Sequence, residues 1–140
     1  MLSLRLVIDT NVLISAALKP AGMQRTVLLL ATAKPARLYV SRPILEEYSD
    51  VLARPELRIR KGLRMQLLQL LKNRSYCVAP TVRVYAAGDA DDNMFLECAD
   101  AARADYLITG NQKHFPRFWK NTKIVTSREF VSLAAPHLLK

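Results

Sequence analysis

Leu4-Arg5-Leu6-Val7-Ile8-Asp9-Thr10-Asn11 is the stretch that decides the fold. Its apolar run ends at Ile8 and is short enough for a buried strand, and Asp9-Thr10-Asn11 then reads as the entry to a helix. Asp9 therefore falls at the carboxyl end of a strand. If the rest of the chain alternates strands and helices, that is where a parallel sheet forms its sites.

The rest of the chain does alternate. Val12 to Leu18 reads as the first helix, closed by Lys19-Pro20-Ala21-Gly22, and Gln24 to Lys34 as a second, stopped before Pro35. Leu38-Tyr39-Val40 is a short strand. Ser41-Arg42-Pro43 opens a helix running to Ala53, with the serine as N-cap and the proline in an early helical position. Pro55 punctuates, and Gly62 to Arg74 is amphipathic, with Leu63, Leu67, Leu70 and Leu71 on one side. Tyr76-Cys77-Val78 is a third strand and Val82 to Asp91 is irregular. Asp92 to Arg103 is a helix, Tyr106 to Thr109 a buried strand, Lys123 to Thr126 a last strand, and Ser127 starts a helix that Pro136 ends. This order predicts an α/β fold, an α/β/α sandwich around a mainly parallel sheet. At 140 residues the chain is expected to be one domain, 1–140.

Composition narrows the function classes. Apolar residues make up 51% of the chain and mean hydropathy is +0.05, values of a folded globular protein rather than a disordered one. No apolar run approaches the roughly 20 residues of a spanning helix, and the first five residues carry no secretion signal. A cytoplasmic protein without membrane association is expected. Cys77 and Cys98 lack metal-ligand or redox spacing and read as free thiols. The net charge of +9 favours a polyanionic partner, with nucleic acid the first candidate. The cations are unevenly spread. Arg54, Arg58, Arg60, Lys61, Arg64, Lys72 and Arg74 crowd one segment against Glu56 alone, and Lys113, Arg117, Lys120 and Lys123 form a second stretch. Either run serves equally as a solvated helix face or as a backbone-binding surface, and Arg54, Arg58, Arg60, Lys61 and Lys113 are the candidates for contact with a nucleic-acid backbone.

The acids carry the chemistry. Asp9 alone reads equally well as an N-cap, but helical geometry brings others towards it. In the helix from Ser41, Ile44, Leu45, Tyr48, Val51 and Leu52 share the core face. Glu47 lies on its flank at about 90°, whereas Glu46 points nearly opposite, to solvent. In the helix from Asp92, Phe95, Ala99 and Ala102 face inward, with Asp92 about 60° from that face and Glu97 and Asp100 turned further away. Free N–H groups at the helix start stabilise Asp92 without any metal. They do not account for Asp89, Asp91 and Asp92 together in a chain with 12 acids against 21 bases. Gathered carboxylates repel one another, and a hard divalent cation offsets that repulsion. Such a cation activates water and stabilises the departing oxygen of a phosphodiester. Basic residues would hold the nucleic-acid backbone and the acids the metal.

These residues also resemble the PIN-domain ribonucleases, a family that includes many toxins of bacterial toxin–antitoxin pairs. The likeness spans most of the chain: Val7-Ile8-Asp9-Thr10-Asn11, Ser41 to Glu47 with Val51-Leu52-Ala53-Arg54-Pro55, Asp89-Ala90-Asp91-Asp92-Asn93 leading to Ala99, and Ala104 to Asn111. The resemblance implies Mg²⁺- or Mn²⁺-dependent cleavage of RNA, with Asp9, Glu47 and Asp92 as the metal-binding acids. It also implies an antitoxin protein as partner and favours a homodimer. A fourth position, often aspartate in the family, is Asn111 here; its carbonyl oxygen offers no charge, so it is the weak ligand of the set. Asn11 and Thr109 look like supporting polar residues, and Asp91 stands between that role and loop capping.

Two other readings compete. In one, the domain binds RNA or a partner without cleaving, which Asn111 favours. In the other, Asp9 is the nucleophile of a phosphatase, which ranks lower because Asn11 occupies the place where a second aspartate is wanted. His114 reads as a loop residue rather than a general base.

Overall fold

Residues 3–139 are described in a computed structural model. Strand β1, Arg5–Ile8, has the burial expected of its apolar run: Leu6, Val7 and Ile8 are essentially inaccessible. It runs into α1 (Thr10–Leu18) and α2 (Met23–Ala31), and then into β2 (Arg37–Val40). Helix α3 (Arg42–Leu52) begins as its sequence requires, with the Ser41 hydroxyl accepting from the Ile44 N–H and Pro43 in the first turn. It buries Ile44, Tyr48, Val51 and Leu52. Helix α4 (Lys61–Arg74) buries Leu67 and Leu71, leaves Leu63 and Leu70 half-buried, and leads directly into β3 (Ser75–Cys77). After an irregular stretch come α5 (Asn93–Ala102), β4 (Tyr106–Ile108), β5 (Phe118–Trp119), β6 (Thr122–Val125) and α6 (Ser127–Ala134).

The sheet order is β3-β2-β1-β4-β6-β5. Every pairing is parallel except β5 with β6. Helices α1 and α2 pack on each other, α2 reaches α6, and α5 lies on β1, β2 and β4. This is the expected α/β/α sandwich. The chain winds outward from β1 to β2 and β3, then returns to lay β4 on the other side of β1. Winding direction therefore reverses between β1 and β4, and the crevice at their carboxyl ends is the place where such sheets bind ligands.

Several boundaries differ from the sequence reading. Helix α1 starts at Thr10 rather than Val12, and α2 stops at Ala31 rather than Lys34, where the Thr32 hydroxyl bonds back to the Leu28 carbonyl. Asp92 is not the first helical residue of α5 but its cap, preceded by a 3₁₀ turn at Ala90–Asp92. The two-residue strand β5 has no counterpart in the sequence reading, because Phe118 and Trp119 are too few to show any alternation. Both cysteines are free thiols, Cys77 exposed and Cys98 buried. Among the described residues, no helix is long and apolar enough to cross a membrane.

Candidate functional site

Asp9 stands where β1 ends, and its N–H bonds to the Ile108 carbonyl of the neighbouring β4 at 2.9 Å. It occupies the cap position of α1, yet its side chain makes no capping hydrogen bond. One carboxylate oxygen instead accepts from the Thr109 hydroxyl at 2.7 Å. Thr109 is fully buried at the end of β4, and its hydroxyl also accepts the Asn111 N–H at 3.0 Å. The two strand ends on either side of the winding reversal are thus tied together through this carboxylate.

Glu47 and Glu46 separate as their helical angles require. Glu46 is exposed and forms a 3.7 Å ion pair with Arg42, four residues back on the same helix. Glu47 is half-buried and accepts a hydrogen bond from the Thr10 hydroxyl at the start of α1. The next residue, Tyr48, is buried and donates its hydroxyl to the carbonyl of Ile8. Helix α3 is therefore pinned on both sides of Asp9, through Ile8 and Thr10.

Asp92 is half-buried at the head of α5, and its side chain does not cap the helix either. Its carboxylate lies 3.4 Å from Nδ1 of His114. The surrounding acids have structural duties. Asp89 accepts the Asp91 N–H through its side chain and the Asp92 N–H through its carbonyl. It is thus Asp89, rather than Asp91, that caps the loop; Asp91 is exposed. Glu97 holds the Val84 N–H, Asp100 pairs with Lys120 at 2.5 Å, and Asp105 accepts the N–H of Arg5. These three acids anchor loops and strands away from the Asp9 crevice.

Electrostatics link the three acids singled out from sequence. Burial pushes the Asp9 carboxyl from its ordinary value of 3.8 up to about 6. The Thr109 hydrogen bond opposes this, whereas the charges of Asp92 and Glu47 add to it. Asp92 is also raised, first by burial, then by Asp89 and Glu47, with His114 pulling the other way. The anionic forms of Asp9 and Asp92 are costly where they stand, and a cation beside them would relieve that cost. Among the described residues, no three His, Cys, Asp or Glu side chains close into a ready-made metal cage. The donor set nonetheless suits Mg²⁺ or Mn²⁺ chemistry, because oxygen-liganded Mg²⁺ takes one or two carboxylates and keeps several waters. Asp9, with Glu47 and Asp92 as charged neighbours, fits such a water-rich site.

The supporting residues occupy distinct places. The Asn11 side-chain oxygen accepts the Gly110 N–H at 3.1 Å, which steadies the turn after β4. Asn111 is exposed and, with Asn11, Ser15 and Gln24, lines a hollow of about 230 Å³ that none of the three acids lines. Arg54, Arg58, Arg60 and Lys61 are exposed in the connection from α3 into α4, and Lys113 in the 3₁₀ turn Gln112–His114. No ion pair among the described residues involves any of these five cations. Sequence patterning passes over Thr10, Tyr48 and His114. Their relevance comes from the Glu47 carboxylate, the Ile8 carbonyl and the Asp92 carboxylate, 37, 40 and 22 positions away in the chain, and no local period reports such contacts.

A crevice at the winding reversal of a parallel sheet, with an aspartate raised first by burial and then by two further acids, defines the class of strand-end acidic sites. The chain belongs to the PIN domain family, whose family model matches residues 5–113. It is 32% identical over 114 residues to the uncharacterized protein MJ1680 of Methanocaldococcus jannaschii, covering 79% of this chain and 73% of that one. The fold is similar to a chain in the crystal structure of VapBC2 from Rickettsia felis bound to a DNA fragment from their promoter. There the TM-score is 0.61 at 16% identity, over 87% of this chain and 98% of that one.

Proposed function

We propose that this protein is a divalent-metal-dependent endoribonuclease, a single domain spanning 1–140, acting as the toxin of a toxin–antitoxin pair. The observation that carries the reading is Asp9: a buried strand-end carboxylate pushed to about 6, partly by the charges of Asp92 and Glu47. Asp9, Glu47 and Asp92 hold Mg²⁺ or Mn²⁺, directly or through water, with Asn111 as a weak further ligand. The chemistry such a cation would supply there is positive charge against the scissile phosphodiester and a lowered pKa for water, so that hydroxide would be available at neutral pH. Thr109 orients the Asp9 carboxylate, Thr10 does the same for Glu47, and His114 steadies Asp92. Arg54, Arg58, Arg60, Lys61 and Lys113 attract and hold the RNA backbone. The toxin reading rests on family membership and on the likeness in fold to a chain from a VapBC2 structure. The partner expected from it is an antitoxin protein, the location is cytoplasmic, and a homodimer is the favoured assembly.

The experiment is cleavage of single-stranded RNA by purified protein with Mg²⁺ or Mn²⁺, beside Asp9→Asn and beside EDTA. Metal-dependent cleavage lost in the variant supports the assignment, and equal activity in all three sinks it. Growth arrest on expression, relieved by a co-expressed antitoxin, tests the toxin role separately. RNA binding without cleavage would instead favour the binding-module reading, for which the uncharged Asn111 is the motivating feature.

A further inference from the structure

Beyond the acids lies an open pocket of about 620 Å³, and Gln112, Lys113, Arg117, Phe118, Lys123 and Glu129 are among the residues that line it. It is reached within one residue of the site: His114, which approaches Asp92 at 3.4 Å, follows Lys113 directly. Most of its lining lies beyond residue 113, where the match to the family model ends. Two features of the pocket need explaining. Phe118 is 59% exposed at the edge of the sheet, a costly position for a large apolar ring. Its antiparallel partner across the β5–β6 hairpin is Lys123, so a ring and a cation stand side by side.

The charges are equally one-sided. Lys113, Arg117 and Lys123 are exposed, and none of them forms an ion pair among the described residues. The pocket's carboxylate, Glu129, is already occupied. It accepts from the Thr126 N–H at 3.0 Å and from the Gln112 side-chain amide at 2.8 Å, and these bonds, with the charge of Lys123, hold its carboxyl below the usual range. The Gln112 amide also reaches the Ile124 carbonyl at 3.3 Å, which fixes the turn against β6. Three cations without an ion pair, lining one pocket with an exposed aromatic ring, are the elements of a single-stranded nucleic-acid platform: a base stacks on the ring while cations track the phosphates.

We infer that this pocket receives a nucleotide flanking the scissile phosphodiester of single-stranded RNA, its base on Phe118 and its phosphates on Lys113, Arg117 and Lys123. The inference rests on the ribonuclease reading. It adds a path to it, since RNA would run between the Asp9 crevice and the β5–β6 hairpin across the Gln112–His114 turn. A double-stranded substrate, whose bases are already stacked on each other, would gain nothing from Phe118.

The test is binding of a short labelled oligouridylate to Asp9→Asn protein in EDTA, followed by fluorescence anisotropy, with Phe118→Ala, Phe118→Tyr, Arg117→Ala and Lys34→Ala added singly. Phe118→Ala should weaken binding by about 5- to 150-fold, the value of one stacked base, and Phe118→Tyr should restore it. Arg117→Ala should lower the slope of log affinity against log salt by about 0.7. Lys34→Ala removes the same charge elsewhere and should leave affinity unchanged. Undiminished binding in Phe118→Ala, or equal losses in Arg117→Ala and Lys34→Ala, overturns the pocket assignment. If the wild-type protein still cleaves RNA in that case, the ribonuclease reading survives. Absence of any RNA binding or cleavage removes both.

Discussion

Replacing Asp9 by asparagine should stabilise the metal-free protein at neutral pH while abolishing the proposed metal-dependent cleavage of RNA. Asp9 is 5% exposed, and its carboxyl is raised from 3.8 to about 6. A raised carboxyl favours the protonated folded state. Its contribution to stability is complete below pH 3.8 and is lost as pH rises through about 6. Above that range the folded protein carries a penalty of about 3 kcal/mol for keeping the charge buried. Asparagine is neutral throughout and can still accept the Thr109 hydroxyl with its carbonyl oxygen. The variant should therefore match the wild type near pH 3.8 and exceed it at pH 7.5 by up to about 3 kcal/mol, a rise in Tm of about 5–10 °C. Urea or thermal unfolding of both proteins in EDTA, followed by circular dichroism from acid to neutral pH, measures this. Repeating it with Mn²⁺ should close the gap at about a hundred times the Kd, where a cation that binds only the folded wild type adds about 2.7 kcal/mol, and reverse the order at about a thousand times, where it adds about 4.1 kcal/mol. A variant less stable than wild type at pH 7.5 in EDTA, or a difference that ignores pH, would refute the account of Asp9.

Other expectations follow from the same contacts. Thr109→Ala removes the hydrogen bond that opposes the rise of Asp9; it should cost about 1–3 kcal/mol and raise the Asp9 carboxyl further, a shift visible by NMR titration. Glu47→Gln should cut metal-dependent cleavage by at least about tenfold, in line with a change to a metal's ligands or their supports. Glu46→Gln, which disturbs only an exposed ion pair, should leave cleavage within the scatter of a kinetic assay. Thr126→Ala opens the capping box of α6 and should lower stability by about 1 kcal/mol without changing kcat, as denaturant titration would show.

The alternation of short apolar runs with amphipathic helices is local, so the sequence by itself determined the class of fold and the strand-end position of Asp9. Helical phase is local too. The angle of about 90° between Glu47 and the core face was enough to send Glu47 inward and leave Glu46 to Arg42. Cap geometry was less legible, because a cap preference shows that a side chain is able to cap, not that it does. Asp9 and Asp92 both sit at helix starts, and neither side chain caps. Strand order belonged wholly to the tertiary structure. That β4 returns beside β1, bringing Thr109 within 2.7 Å of a carboxylate 100 positions away, follows from closing a core and leaves no periodic trace. The same holds for β5, two residues that pair only because β6 lies beside them. Composition supplied the acids and the cations; burial supplied their interaction. Asp9 becomes an unusual acid only where packing removes its water and sets Asp92 and Glu47 close enough to act on it.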